Sequence, residues 1–154
     1  MSQHIISLIG NPNCGKTTLF NALTGSRQRV GNWPGVTVDK KTGNFSFEGH
    51  NIEVVDLPGI YSVTPTSVSG EDEIVARDYL LSGEAQVVVN IIDASNLERN
   101  LYLTSQLIEM HVPMIVVVNM LDIAKQHKIK LDLGALEKQL GCPVIGLVAN
   151  RNKG

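Results

Sequence analysis

Cysteine is scarce in this sequence. Its 154 residues hold only Cys14 and Cys142, with no metal-like spacing between them. That excludes a disulfide framework and fits a reducing compartment. Long apolar runs are also missing. The longest, Val87–Ile92 and Val112–Val118, fall far short of the ~18 residues needed to span a bilayer. No basic segment followed by an apolar run opens the chain, so no signal peptide is read. The formal net charge is only -2, and no dense basic stretch occurs, which argues against a nucleic-acid partner. What is present is 43% apolar and 18% charged residues, enough to bury the core of one domain. A soluble, cytoplasmic chain is expected.

Short apolar runs alternate with amphipathic segments. Ile5–Ile9 reads as a buried strand and Lys16–Leu23 as a helix. Gly25–Pro34 reads as a polar loop, and Thr37–Phe47 with Ile52–Val55 as a hairpin turning at Gly49-His50. Leu57–Gly70 is a long Ser/Thr/Pro-rich loop, of the kind that is usually functional. Beyond it come helix Glu71–Leu81, strand Val87–Ile92, helix Leu97–Met110, strand Pro113–Val118, helix Leu131–Leu140 and strand Pro143–Val148. This alternation predicts an α/β fold: a mainly parallel six-stranded sheet with one antiparallel edge strand and helices on both faces. The chain ends before an expected closing helix, so residues 1–154 read as a domain truncated from a longer protein.

Gly10-Asn11-Pro12-Asn13-Cys14-Gly15-Lys16-Thr17 fits Gly-x-x-x-x-Gly-Lys-Thr between a strand and a helix, the context that a P-loop NTPase requires. Its glycines let backbone N–H groups converge on phosphate, and the helix N-terminus adds positive charge. Lys16 is placed on the β- and γ-phosphates, Thr17 on magnesium and Thr18 on the α-phosphate. Asp56-Leu57-Pro58-Gly59 puts an aspartate at a strand end, where it can hold magnesium through water, and offers the Gly59 N–H to the γ-phosphate. Thr37, in Gly35-Val36-Thr37-Val38, is the second candidate magnesium hydroxyl.

Asn119-Met120-Leu121-Asp122 follows a strand. Asp122 can accept two hydrogen bonds from guanine, for which adenine has no matching donors. Asn119 is expected to brace the loops. Met120 stands where many GTPases have lysine and can supply the same apolar contact. Ala149-Asn150, after the last strand, is the candidate contact to the guanine oxygen. The nucleotide-contacting set is therefore Asn11, Asn13, Cys14, Gly15, Lys16, Thr17, Thr18, Gly35, Val36, Thr37, Asp56, Gly59, Asn119, Met120, Asp122, Ala149 and Asn150.

Ras-like GTPases usually follow Asp-x-x-Gly with a water-orienting glutamine. Ile60 stands there instead, so slow hydrolysis with outside assistance is expected. The Asn13 amide oxygen can help hold potassium beside the phosphates, and the carbonyls of Gly31 and Trp33 can complete that site. Lys16, Asn13, Thr37 and Gly59 are the candidate catalytic contacts.

The stretches Gly10–Asn21, Gly25–Val38, Asp56–Ser62, Asp93–Leu103 and Asn119–Asp122 resemble the N-terminal G domain of the bacterial ferrous iron transporter FeoB family over essentially the whole chain. Val30-Gly31-Asn32-Trp33-Pro34-Gly35-Val36-Thr37-Val38 carries most of the discrimination. The resemblance implies GTP/GDP, Mg²⁺ and K⁺ as ligands, a Ras-like G domain, and helical and membrane domains that move Fe²⁺. It implies small accessory iron-transport proteins as partners and the cytoplasmic face of the bacterial inner membrane as location. A soluble GTPase for RNA or ribosome assembly and a switch with negligible turnover are the rival readings.

His4, His50, His111 and His127 read as ordinary residues, and Glu71-Asp72-Glu73 as the acidic first turn of a helix rather than a metal patch. Trp33 reads as a partner contact or a core plug on a mobile loop. Cys14, near a helix N-terminus, is expected to have a lowered pKa and to react with alkylators unless GTP protects it.

Overall fold

In a computed structural model, residues 3–63 and 70–148 are described. The predicted strands form one sheet of seven, in the order β2-β3-β4-β1-β5-β6-β7. These are β1 (Gln3–Gly10), β2 (Gln28–Asn32), β3 (Asp39–Phe47), β4 (His50–Asp56), β5 (Val87–Asp93), β6 (Met114–Asn119) and β7 (Val144–Gly146). From β4 to β7 all neighbours run parallel. β3 is antiparallel to both β4 and β2. The sheet is therefore mainly parallel with antiparallel pairing at one edge, but with seven strands rather than six. The extra one, β2, lies inside the segment expected to be a loop. Apart from Val30 and Gly31 its residues are polar, and all but Gln28 are exposed, so no apolar alternation marks it.

The β3–β4 hairpin closes through Glu48 and Gly49, both at positive φ, with Phe47 opposite His50. Two consecutive left-handed residues suit a tight two-residue hairpin.

Within the parallel strands, successive residues feed opposite faces. Leu8, Val54, Ile91 and Val117 pack with Phe20 on one face. Ile9, Val55, Ile92, Val116 and Val118 pack with Leu103, Leu107, Leu80 and Leu136 on the other. Helix α1 (Lys16–Thr24) covers the first face, through Phe20. The second face is covered by α2 (Glu71–Ser82), α3 (Leu97–Glu109), the short α4 (Leu121–Gln126) and α5 (Leu133–Leu140). Helix α4 was not anticipated from the sequence. No helix among the described residues is long and apolar enough to cross a membrane.

The register gathers the carboxyl ends of the parallel strands along one rim. Leu8 pairs with Asp56, Gly10 with Ile91, and Asp93 with Asn119. Loops at such a rim collect ligands in open α/β sheets.

Leu103, fully buried on α3, should cost about 3 kcal/mol when cut to alanine. Its exposed neighbour Tyr102 should cost no more than about 0.5 kcal/mol. Urea unfolding with an unchanged slope measures both.

Candidate functional site

The rim opens into a cleft of about 610 Å³ between the phosphate loop, Gly59 and Met120. Asn11, Asn13, Gly15, Lys16, Thr17 and Thr18 line it from below. Helix α1 begins here after Gly15, with no side-chain cap and no acidic residue in its first turn. Its leading N–H groups thus meet no carboxylate of their own helix, which leaves the helix dipole available to an anion.

Glycine is required at position 15. Its φ is +94°, and a Cβ there would fall 2.0 Å from Asn119 Nδ2. That close approach has a partner bond: Asn119 Nδ2 donates to the Cys14 carbonyl at 3.1 Å. The end of β6 and the phosphate loop are thereby joined. Met120 follows at φ 61° and lines the cleft, while Asp122 sits half-buried in the first turn of α4.

Lys16 and Asp56 meet at 2.5 Å, and both are buried. Beside them, a second cleft of about 280 Å³ is lined by Thr17, Asp56 and Gly59, together with Asp39, Lys41 and Asp72. Hydroxyl and carboxylate oxygens are the donor set that suits a hard divalent ion such as magnesium. Asp72 also lines the main cleft. In the sequence it shows only as part of an acidic helix start. That signal was visible in the sequence, but not that the first turn of α2 faces the phosphate loop.

The segment after Asp56 is held on the protein. Ile60 N–H donates to the Gly10 carbonyl at 3.0 Å. The Ile60 side chain is 1% exposed and belongs to the large core, so it cannot orient a water. Gly59 lies against Pro12, where a Cβ would come within 3.1 Å of Pro12 Cα.

Other candidates lie apart from the cleft. Thr37 Oγ1 donates to Glu71 Oε2 at 3.3 Å, on the surface. Gly35 is exposed and Val36 half-buried. Gly31 pairs with Lys40 across β2 and β3. Trp33 is a core plug: it is buried, its ring meets Tyr79 edge-on at 5.5 Å, and Lys40 lies 4.7 Å above it. The Trp33 carbonyl accepts from Val36 N–H at 3.3 Å. Asn13, at φ 66°, is therefore gathered with the phosphate loop, while Gly31 and Trp33 are not beside it in this cleft. Ala149 and Asn150 lie outside the described residues. Among the described residues no three His, Cys, Asp or Glu side chains group to hold a metal.

The expectation of a reactive Cys14 is corrected. The thiol is 2% exposed and packed with Phe20 and Ile91. Burial pushes its pKa up, outweighing the lowering by the Lys16 backbone N–H and charge. Desolvation of the thiolate wins over the helix N-terminus. Burial also raises Tyr79 well above its usual range, with Glu84 and Glu53 adding to the effect. At pH 8, iodoacetamide should label the half-buried Cys142 first and Cys14 only on unfolding. Mass spectrometry of native protein reads this, and rapid native labelling of Cys14 would contradict the packing described.

A family model described as ferrous iron transport protein B matches residues 4–154. The Fe(2+) transporter FeoB of Escherichia coli K12 is 58% identical over the whole chain, which spans only 20% of that protein. The cytosolic domain of L. pneumophila FeoB superimposes with a TM-score of 0.93 at 53% identity, covering 97% of this chain and 64% of that one. An S. thermophilus NFeoB mutant bound to mGDP superimposes at 0.90 with 49% identity, covering 97% and 56%. A sheet edge, a phosphate loop and a family model covering nearly every residue agree: the chain belongs to the ferrous iron transport protein B family.

Proposed function

We propose that the chain is the GTP-binding, slowly GTP-hydrolysing domain that regulates a ferrous iron transporter. One observation carries the reading: the uncapped start of α1, Lys16, Thr17 and Gly59 face Met120 across one cleft, and Lys16, Thr17 and Gly59 also line the adjoining cleft with Asp56. The mGDP-bound relative supports a guanine nucleotide as the occupant.

In this reading the N–H groups at the start of α1 and the Lys16 ammonium hold the phosphates. Thr18 contacts the α-phosphate. Asp122 accepts from the guanine ring N–H and amino group, Met120 covers the base, and Ala149-Asn150 approach its oxygen. Thr17, Asp56 and Thr37 hold magnesium, which supplies charge neutralisation at the phosphate oxygens. Thr37 reaches that position by exchanging its Glu71 contact. Asn13, with the carbonyls of Gly31 and Trp33, holds potassium, which supplies the positive charge that an arginine finger supplies elsewhere. Gly59 presents its N–H to the γ-phosphate. With Ile60 in the core, no side chain orients the water from the position after Gly59, and turnover is slow.

Residues 1–154 then act as the G domain of a longer protein. Its helical and membrane domains, and small accessory iron-transport proteins, are the partners, and GTP hydrolysis gates Fe²⁺ uptake from the cytoplasmic face of the inner membrane. The chain's 20% share of its E. coli relative leaves ample length for those domains.

Titration with GTP, GDP and ATP tests the central claim. GTP and GDP should bind and ATP should not, and Asp122→Asn should weaken GTP by roughly 100-fold. A preference for ATP sinks the reading. Turnover should be faster in potassium than in sodium buffer, and Asn13→Ala should abolish the difference. Equal rates in the two salts for the unaltered chain would remove potassium from the mechanism.

A further inference from the structure

Helix α3 carries a buried amide that the nucleotide cleft does not use. Gln106 is 8% exposed, and a polar side chain is tolerated there only when hydrogen-bonded. Its Oε1 accepts from Val63 N–H at 2.8 Å, and its Nε2 donates to Ser62 Oγ at 3.0 Å. A backbone N–H can only donate, so the amide has one orientation that serves both.

Ser62 and Val63 lie just after Gly59-Ile60. The strip is pinned on its other side as well, by the Ile60 N–H on the Gly10 carbonyl and the Ile60 side chain in the core. Between the two pins, Tyr61 lies under the Arg99 guanidinium at 4.4 Å. The Arg99 backbone oxygen accepts from Asn11 Nδ2 at 3.4 Å. Helix α3 therefore touches the phosphate loop at Asn11 and the strip after Gly59 at Tyr61, Ser62 and Val63. Gly59 faces Pro12 so closely that a Cβ there would fall 3.1 Å from Pro12 Cα, so a shift of the strip carried back through Ile60 alters where Gly59 stands on the phosphate loop.

We propose that Gln106 is a positioning residue for GTP hydrolysis. By holding Ser62 and Val63, it sets where the Gly59 N–H stands above the phosphate loop. With Ile60 in the place of a water-orienting glutamine, this alignment is set from helix α3 on one side and by Ile60 on Gly10 on the other. The inference rests on the GTPase reading above. It separates from a packing role because GDP has no γ-phosphate for Gly59 to meet. A displaced strip lowers turnover and spares GDP binding, whereas a damaged core lowers both.

The test uses the 154-residue chain with GTP, Mg²⁺ and K⁺. Gln106→Met keeps the length and removes both bonds. Gln106→Glu keeps an acceptor for Val63 N–H, and the Ser62 hydroxyl can turn to donate to it. Single-turnover hydrolysis should fall by between about 10- and 100-fold in Gln106→Met, as expected for a small misplacement of a catalytic contact. GDP affinity should stay within about twofold, and Gln106→Glu should recover most of the rate. Amide exchange at Val63 should quicken in Gln106→Met while that at Val116, in β6, does not. Unchanged hydrolysis in Gln106→Met, or hydrolysis and GDP affinity falling together, overturns the proposal. Should Gln106→Met not fold, Ser62→Ala removes one bond and leaves the Val63 bond. A slower rate with intact GDP binding then supports the proposal, and a full rate overturns it. Absence of GTP turnover in the unaltered chain instead sinks the GTPase reading itself.

Discussion

The Lys16–Asp56 ion pair is the constraint on which the rim is organised. Lys16 opens α1 and Asp56 closes β4, and both side chains are largely buried at the floor of the clefts. Each is tolerable there only because the other is present. Removing one partner of such a pair leaves a buried charge at a cost of about 3–5 kcal/mol. The same two groups are the ones that the proposed function assigns to phosphate and magnesium. A ligand that takes both must therefore supply the charge that each already has from its partner, and a metal–triphosphate complex carries both signs. An anion without a metal satisfies only Lys16 and strands the aspartate.

Much of this was readable because the informative residues sit in rigid geometry. The phosphate loop was legible since Gly10, Gly15 and Lys16 are demanded by contacts that other side chains cannot make, as Gly15 against Asn119 shows. The parallel strands were legible since Ile9, Ile92 and Val118 feed one core while Leu8, Ile91 and Val117 feed the other. A strand buried on both faces is a continuous apolar run.

The features that escaped share a different cause. β2 buries no face, so it has no period to detect. Helix α4 has only six residues and begins at a left-handed Met120, the same residue read as a base contact. Cys14 looked like a thiol at a helix start. Its Sγ turns instead into the core beside Phe20, and the rotation of one side chain is not a matter of sequence spacing. Trp33 stood among Gly and Pro, yet finds its partner in Tyr79, 46 positions later. Gln106 is the clearest case: one polar residue on an amphipathic helix looks like surface until its partners at positions 62 and 63 are known.

The place of β2 in the sheet has a mechanical consequence. As the outermost strand in the order, it is zipped to β3 alone, over five residue pairs. Peeling it away together with the segment that follows unfastens one ladder and withdraws Trp33, with the half-buried Val36 and Val38, from the core. Peeling β4 or β5 would tear two ladders and open the interior on both sides of the sheet. The strip that runs from β2 through Gly35 and Thr37 is thus cheaper to lift off and lay down again than any strand inside the sheet. Such a lift would turn about the junction with β3, which is stitched to β4 over seven residue pairs.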